Sequence, residues 1–215
     1  MDCVFRFDFS GNGASEGEFR GFGGYEAEVH DLEDVVAHFR SQRTGGDAAY
    51  EVVALVGHSK GASCVLHYAA RHDDVPVVVS LAARHDMSRG FRERLGDTRM
   101  DELLTKGSVE YADAAMTNAK SITITRAQFE ERIGLDNTVV NSENIRRGVK
   151  KLRFVHGLSD TVIPAEDAQA YVVQFDAFDD TECDAQAILL EGAGHTLFRH
   201  VPEVAGVVND CLSTL

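Results

Sequence analysis

The sequence predicts an α/β fold, a mostly parallel sheet flanked by helices, formed by a single domain over residues 1–215. Two observations predict it. Short runs of β-branched and aromatic residues alternate with stretches whose apolar residues recur at helical spacing. Most of those runs are apolar almost without interruption, the pattern of parallel strands covered on both faces.

The strands are expected at residues 4–9, 52–56, 75–81, 152–155 and 187–190. In the first, Phe5, Phe7 and Phe9 alternate with Arg6 and Asp8, which marks it as the edge of the sheet. Val29, Leu32, Val36 and Phe39 share a helical face, as do Ala62, Val65, Leu66 and Ala69, and each helix would cover one side of the sheet. Pro164 is placed to open a third helix, and Pro202 a last one carrying Val204, Val207, Val208 and Cys211. Residues 84–151 break this rhythm with many charges, with Gly90, Gly96, Gly107 and Gly134, and with polar helical stretches near 89–104 and 126–133. They read as an insertion between the third and fourth strands, above the sheet end where ligands bind in α/β folds, which suits a cap or lid.

A formal charge of −14 argues against nucleic-acid and anionic-membrane partners, which are held mainly by clustered Lys and Arg. Hydrophobic residues make up 44% of the chain, enough for an ordinary globular core. No stretch approaches the roughly 18 apolar residues of a membrane span, and Met1 to Arg6 lacks a signal-peptide pattern, so the expected setting is the cytoplasm. Cys3, Cys64, Cys183 and Cys211 are scattered without a C-x-x-C pair and read as free thiols. His67 and His72 stand five apart with no H-E-x-x-H, and no metal or cofactor is expected.

The chemistry centres on Gly57-His58-Ser59-Lys60-Gly61, set between an expected strand and an expected helix. That is the context of a G-x-S-x-G nucleophile elbow, where a strained residue points its hydroxyl out of the sheet and the glycines two before and two after must be small. A serine hydroxyl is a weak nucleophile at neutral pH and needs a histidine base oriented by a carboxylate. Asp160 follows the fourth strand in His156-Gly157-Leu158-Ser159-Asp160, and His195 follows the fifth in Glu191-Gly192-Ala193-Gly194-His195. Both fall at strand C-terminal ends, on the sheet edge that also carries Ser59. Asp86 is the rival acid and His200 the rival base, the latter ranked lower because it sits inside or near the last helix. The loop from Ser10 to Gly17 faintly imitates a dinucleotide fingerprint, but its glycine spacing is off by one, Glu16 and Glu18 would repel a pyrophosphate, and the next helix begins only near Tyr25.

Taken together, Phe7-Asp8-Phe9-Ser10-Gly11-Asn12-Gly13-Ala14-Ser15-Glu16-Gly17, the elbow, His156-Gly157 with Asp160 and Pro164, and Gly192-Ala193-Gly194-His195 resemble the α/β-hydrolase superfamily over nearly the whole chain. The likeness is closest to its serine-aminopeptidase-like and cinnamoyl-esterase-like (feruloyl-esterase-like) branch. The resemblance implies Ser59 as nucleophile, His195 as general base, Asp160 as orienting acid and the Lys60 backbone N–H as one oxyanion donor. The implied reaction is hydrolysis of a small carboxylic ester, thioester or amide through an acyl-serine, without a cofactor.

Family members carry strands before the segment matching Phe7 to Gly13, and a loop among them supplies the second oxyanion N–H. Here Met1 sits almost on that segment, so the resemblance implies an N-terminally shortened hydrolase. In the family's sheet the missing third strand lies between the strand carrying Asp8 and the one leading to Ser59. Its absence implies an unpaired edge that invites self-association. The competing reading is a catalytically impaired or non-catalytic remnant that keeps the triad residues and lacks the oxyanion loop.

Overall fold

The computed structural model describes residues 3–43, 49–112, 121–176 and 182–215. In chain order its elements are α1 (Tyr25–Ser41), β1 (Ala54–His58), α2 (Lys60–Arg71), β2 (Val77–Leu81), α3 (Phe91–Leu95), α4 (Asp97–Lys106), β3 (Ser108–Ala112), β4 (Ser121–Thr125), α5 (Arg126–Ile133), α6 (Glu143–Gly148), β5 (Lys151–Gly157), α7 (Glu166–Asp176), β6 (Asp184–Leu190) and α8 (Val201–Ser213). They form two compact units, one of Met1–Leu32 with Ser88–Leu135 and one of Glu33–Met87 with Asp136–Leu215.

The second unit holds a parallel sheet in the order β1-β2-β5-β6. β2 lies inside it, and its Val77, Val78 and Val79 have no exposed surface. Side chains alternate across a strand, so the two faces collect different partners. Val77, Val79 and Val155 pack with Val204, Val207, Val208 and Cys211 of α8. Phe154 instead lies flat against Tyr171 of α7, with ring centroids 4.8 Å apart. Pro202 stands in the first turn of α8, as expected from its preset φ. Pro164 stands just ahead of α7, where its carbonyl accepts the Asp167 N–H at 3.1 Å.

One expected strand is absent. Residues 4–9 join no ladder among the described residues, Val4 and Phe5 are exposed, and the edges of the sheet are β1 and β6. The alternation of Phe5, Phe7 and Phe9 supplies strand propensity, but a strand exists only where a neighbouring backbone takes up its N–H and C=O groups. The three rings contact one another instead, at 6.4 Å for Phe5–Phe7 and 5.0 Å for Phe7–Phe9.

The first unit has its own core of Phe22, Phe91, Leu95, Met100, Leu103, Val109, Tyr111 and Ile124. The described part of residues 88–135 is not purely helical, because β3 and β4 pair as a two-stranded antiparallel sheet with Val109 opposite Ile124 and Tyr111 opposite Ile122. Its strands carry a clear period-two signal, with Val109 and Tyr111 buried between exposed Ser108, Glu110 and Ala112. The polar, glycine-punctuated surroundings mask that signal in the sequence. α5 begins on a capping box, in which Thr125 Oγ1 accepts the Gln128 N–H at 3.2 Å and Gln128 Oε1 accepts the Thr125 N–H at 3.0 Å.

All four cysteines are free, with Cys3 exposed and Cys64, Cys183 and Cys211 buried. Burial pushes the Cys183 thiol up to about 12, and only a thiolate attacks a disulfide reagent. Titration of the native protein with such a reagent at neutral pH is therefore expected to modify Cys3 alone. Denaturant should release the other three. Rapid native labelling of Cys64 would show that the α2 side of the core opens.

Candidate active site

The site is built on three loops at the C-terminal ends of β1, β5 and β6. β1 ends at His58 and α2 begins at Lys60, leaving Ser59 alone to reverse the chain. Its φ of 55° and ψ of −114° lie where residues with a Cβ are disfavoured, a strain of roughly 1–3 kcal/mol. The surroundings hold it there, since the Ser59 N–H donates to the Leu81 carbonyl at 2.8 Å. A Cβ on Gly57 would stand 2.1 Å from the Gly61 carbonyl oxygen, so no larger residue fits at Gly57. Gly61 corrects the expectation that both glycines must be small, because a Cβ there would meet nothing within 4 Å. The close approach is one-sided, with the Gly61 carbonyl pressing on Gly57 and open space around the Gly61 α-carbon.

Asp160, the candidate acid, stands in the turn after β5. Asp160 Oδ1 accepts the backbone N–H groups of Val162 at 2.8 Å and Ile163 at 2.9 Å, while Oδ2 accepts the Nδ1–H of His195 at 2.8 Å. An ionised carboxylate only accepts, so this bond places the His195 proton on Nδ1 and leaves Nε2 as an acceptor. Nε2 faces the Ser59 hydroxyl at 3.0 Å. The Asp160 side chain has no exposed surface, and 17% of the His195 side chain is exposed. The acid and base loops are tied together by Ser159 N–H donating to the Ala193 carbonyl at 2.8 Å. Gly157 makes room for that tie, since a Cβ there would stand 2.2 Å from the same oxygen.

Burial alone would raise the pKa of Asp160, but hydrogen bonds from His156, His195 and the Ile163 and Val162 amides outweigh it and hold the carboxyl well below its ordinary range. The sign for stability follows. A depressed native pKa contributes stability that is present above the unfolded value of about 4 and is lost as the pH falls through the native value. The acid therefore stays charged throughout the neutral and mildly acidic range.

The structure brings Ser59, His195 and Asp160 into one hydrogen-bonded chain and leaves the rivals outside it. Asp86 is exposed beyond β2. His200 donates to the Glu191 carbonyl at 3.1 Å just before α8. Lys60 opens α2, which puts its N–H among the helix N-terminal groups that intrahelical bonds do not use.

Three residues make supporting contacts that sequence reasoning does not assign, although His58 stands in the expected elbow and His156 in the motif before Asp160. His58 donates from Nε2 to the His195 backbone carbonyl at 2.7 Å, bracing the base from the elbow. Arg84 donates from Nη2 to the Val162 carbonyl at 2.5 Å, bracing the acid turn from the end of β2. His156, on β5, lies buried with Nε2 3.2 Å from Asp160 Oδ2. No spacing rule marks the first two, because their partners are far away in the chain; His156 precedes the acid by one turn, but only its burial distinguishes it. Among the described residues no group of three or more His, Cys, Asp or Glu is placed to hold a metal ion, and no helix is long and apolar enough to cross a membrane.

A family model described as serine aminopeptidase, S33, matches residues 3–127. Solved structures with the α/β-hydrolase fold superpose over nearly the whole chain. Est1E from Butyrivibrio proteoclasticus with ferulic acid bound is 17% identical at a TM-score of 0.70, covering 96% of this chain and 74% of that one. Mouse alpha/beta hydrolase domain-containing protein 10 is 20% identical at a TM-score of 0.68, covering 97% and 77%. A monoacylglycerol lipase from Paleococcus ferrophilus is 16% identical at a TM-score of 0.65, covering 96% and 82%. No curated protein matches the sequence.

Proposed function

Starting from a chain that belongs to the serine aminopeptidase (S33) family, we propose that this hydrolase cleaves small carboxylic esters through an acyl intermediate on Ser59. The observation that carries the proposal is the unbroken chain from Ser59 Oγ through the His195 ring to Asp160, with 3.0 Å and 2.8 Å links. In this reading His195 Nε2 takes the Ser59 proton as Oγ attacks the acyl carbonyl. The imidazolium so formed faces the charged Asp160 carboxylate, and the Lys60 N–H at the start of α2 faces the developing oxyanion. His195 then returns the proton to the departing alkoxide, which leaves an acyl-Ser59 ester. A water activated by the same nitrogen attacks that ester, His195 protonates Ser59 Oγ, and the carboxylic acid leaves.

Esters are proposed ahead of amides because an alkoxide leaving group places a smaller demand on a site with one identified oxyanion donor. Two of the structural relatives also point to carboxylic esters, one holding ferulic acid and the other a monoacylglycerol lipase.

A fluorophosphonate probe tests the nucleophile directly, because it phosphonylates only an activated serine, with fluoride leaving. The expected result is stoichiometric labelling of the parent on Ser59, confirmed by peptide mass, and none in Ser59→Ala. A folded parent that neither takes the label nor turns over p-nitrophenyl esters would support the non-catalytic reading.

A further inference from the structure

A second imidazole reaches the acid from β5. His156 is 1% exposed, and its Nε2 lies 3.0 Å from the Ile163 carbonyl oxygen and 3.2 Å from Asp160 Oδ2. Both neighbours are acceptors, so the proton on this ring belongs on Nε2. Oδ2 is the same oxygen that receives the His195 Nδ1–H at 2.8 Å, while Oδ1 is occupied by the Val162 and Ile163 amides. The carboxylate thus meets four N–H groups, two on each oxygen.

We propose that His156 is a positioning residue for the acid, its single N–H spanning the Ile163 carbonyl and Asp160 Oδ2 so that this oxygen stays turned toward His195. The proposal rests on the triad reading for its effect on turnover, and on geometry alone for its effect on the Asp160–His195 bond. Two amides on Oδ1 hold one end of the carboxylate, but the torsion that swings Oδ2 is broad and roughly two-fold in aspartate. A donor on the Oδ2 side removes that freedom. The same N–H closes the turn from Gly157 to Ile163 onto the strand that launches it. Packing alone does not call for a histidine here, because an apolar side chain would fill a buried strand position without the cost of desolvating an imidazole.

The test uses the intact chain with His156→Leu, which fills the space without a donor, and His156→Gln, whose amide N–H sits near the place of Nε2. The first readout is the downfield proton resonance of His195 Nδ1–H, identified by its disappearance in His195→Ala. The second is kcat and KM on a p-nitrophenyl ester. His156→Leu is expected to weaken or erase the resonance and to lower kcat about 10- to 100-fold, the scale of a displaced catalytic group. KM should stay within about threefold. His156→Gln is expected to keep both the resonance and most of the turnover.

A folded His156→Leu protein with the resonance and kcat unchanged would make His156 an ordinary core residue and overturn the proposal, as would a parent that lacks the resonance. Should leucine prevent folding, His156→Asn decides, since its shorter amide withdraws the donor from Oδ2. Asparagine and glutamine behaving alike would overturn the proposal. If the parent shows the resonance but hydrolyses no ester, the hydrolase reading fails, and the resonance comparison alone still decides the role of His156.

Discussion

Ester turnover is expected to fall by about 10⁵-fold or more in His195→Ala and by about 10⁴-fold in Asp160→Asn, with KM little changed in either. The alanine removes the base that makes Ser59 nucleophilic. The asparagine keeps the shape of the acid but presents an N–H or a neutral oxygen to His195 Nδ1, which favours the wrong tautomer and leaves the imidazolium without a counter-charge. Because the three side chains act as one chain of links of 3.0 Å and 2.8 Å, their losses should not add. Ser59→Ala combined with His195→Ala is expected to be no slower than either alone. Steady-state kinetics on a p-nitrophenyl ester series measure this, and a His195→Ala protein keeping a tenth of the parent's kcat would remove His195 from the mechanism. Asp160→Asn carries a second signature. The parent should lose stability as acid titrates the depressed Asp160 carboxyl, and the asparagine variant should lack that part of its pH dependence.

Gly57→Ala and Gly61→Ala are expected to differ sharply although the two glycines flank the same serine. At Gly57 a methyl group would stand 2.1 Å from the Gly61 carbonyl oxygen and 2.8 Å from the Ala62 nitrogen. These are backbone atoms in a tight turn, with no flexible side chain to give way. Separating them must open the turn, at about 2–4 kcal/mol, and must move Ser59 away from His195. At Gly61 the methyl group meets nothing within 4 Å, and exchanging glycine for alanine in the first turn of α2 should leave stability unchanged or raise it by up to about 1 kcal/mol. Urea unfolding midpoints read the difference. Equal destabilisation by both substitutions would mean that the elbow is not shaped by contact at Gly57.

Much of the site is legible in the sequence because it follows local rules. The strand at 52–56 running into Gly57-His58-Ser59-Lys60-Gly61 and then a helix locates the elbow, and Asp160 and His195 are found by their order and by their place just after apolar runs. The remainder involves partners that no local window contains. Asp86 and Asp160 look alike in sequence, and what separates them is that Asp160 Oδ2 meets His195 across 35 residues of chain. His58, His156 and Arg84 are ordinary residues until the sheet sets them against the base and the acid turn.

The sequence by itself determined the α/β class, the order of the elements around the site and the identity of the nucleophile, base and acid candidates. It could do so because side-chain periodicity, proline placement and the glycines of a tight turn are properties of a few adjacent residues. Only the tertiary structure decided that residues 4–9 join no ladder among the described residues, that 108–112 and 121–125 pair as antiparallel strands, and that Gly57 must lack a side chain while Gly61 need not. Those outcomes turn on hydrogen-bond partners and steric contacts made once the chain has folded, and strand propensity without a partner, like a glycine without a neighbour pressing on it, commits the backbone to nothing.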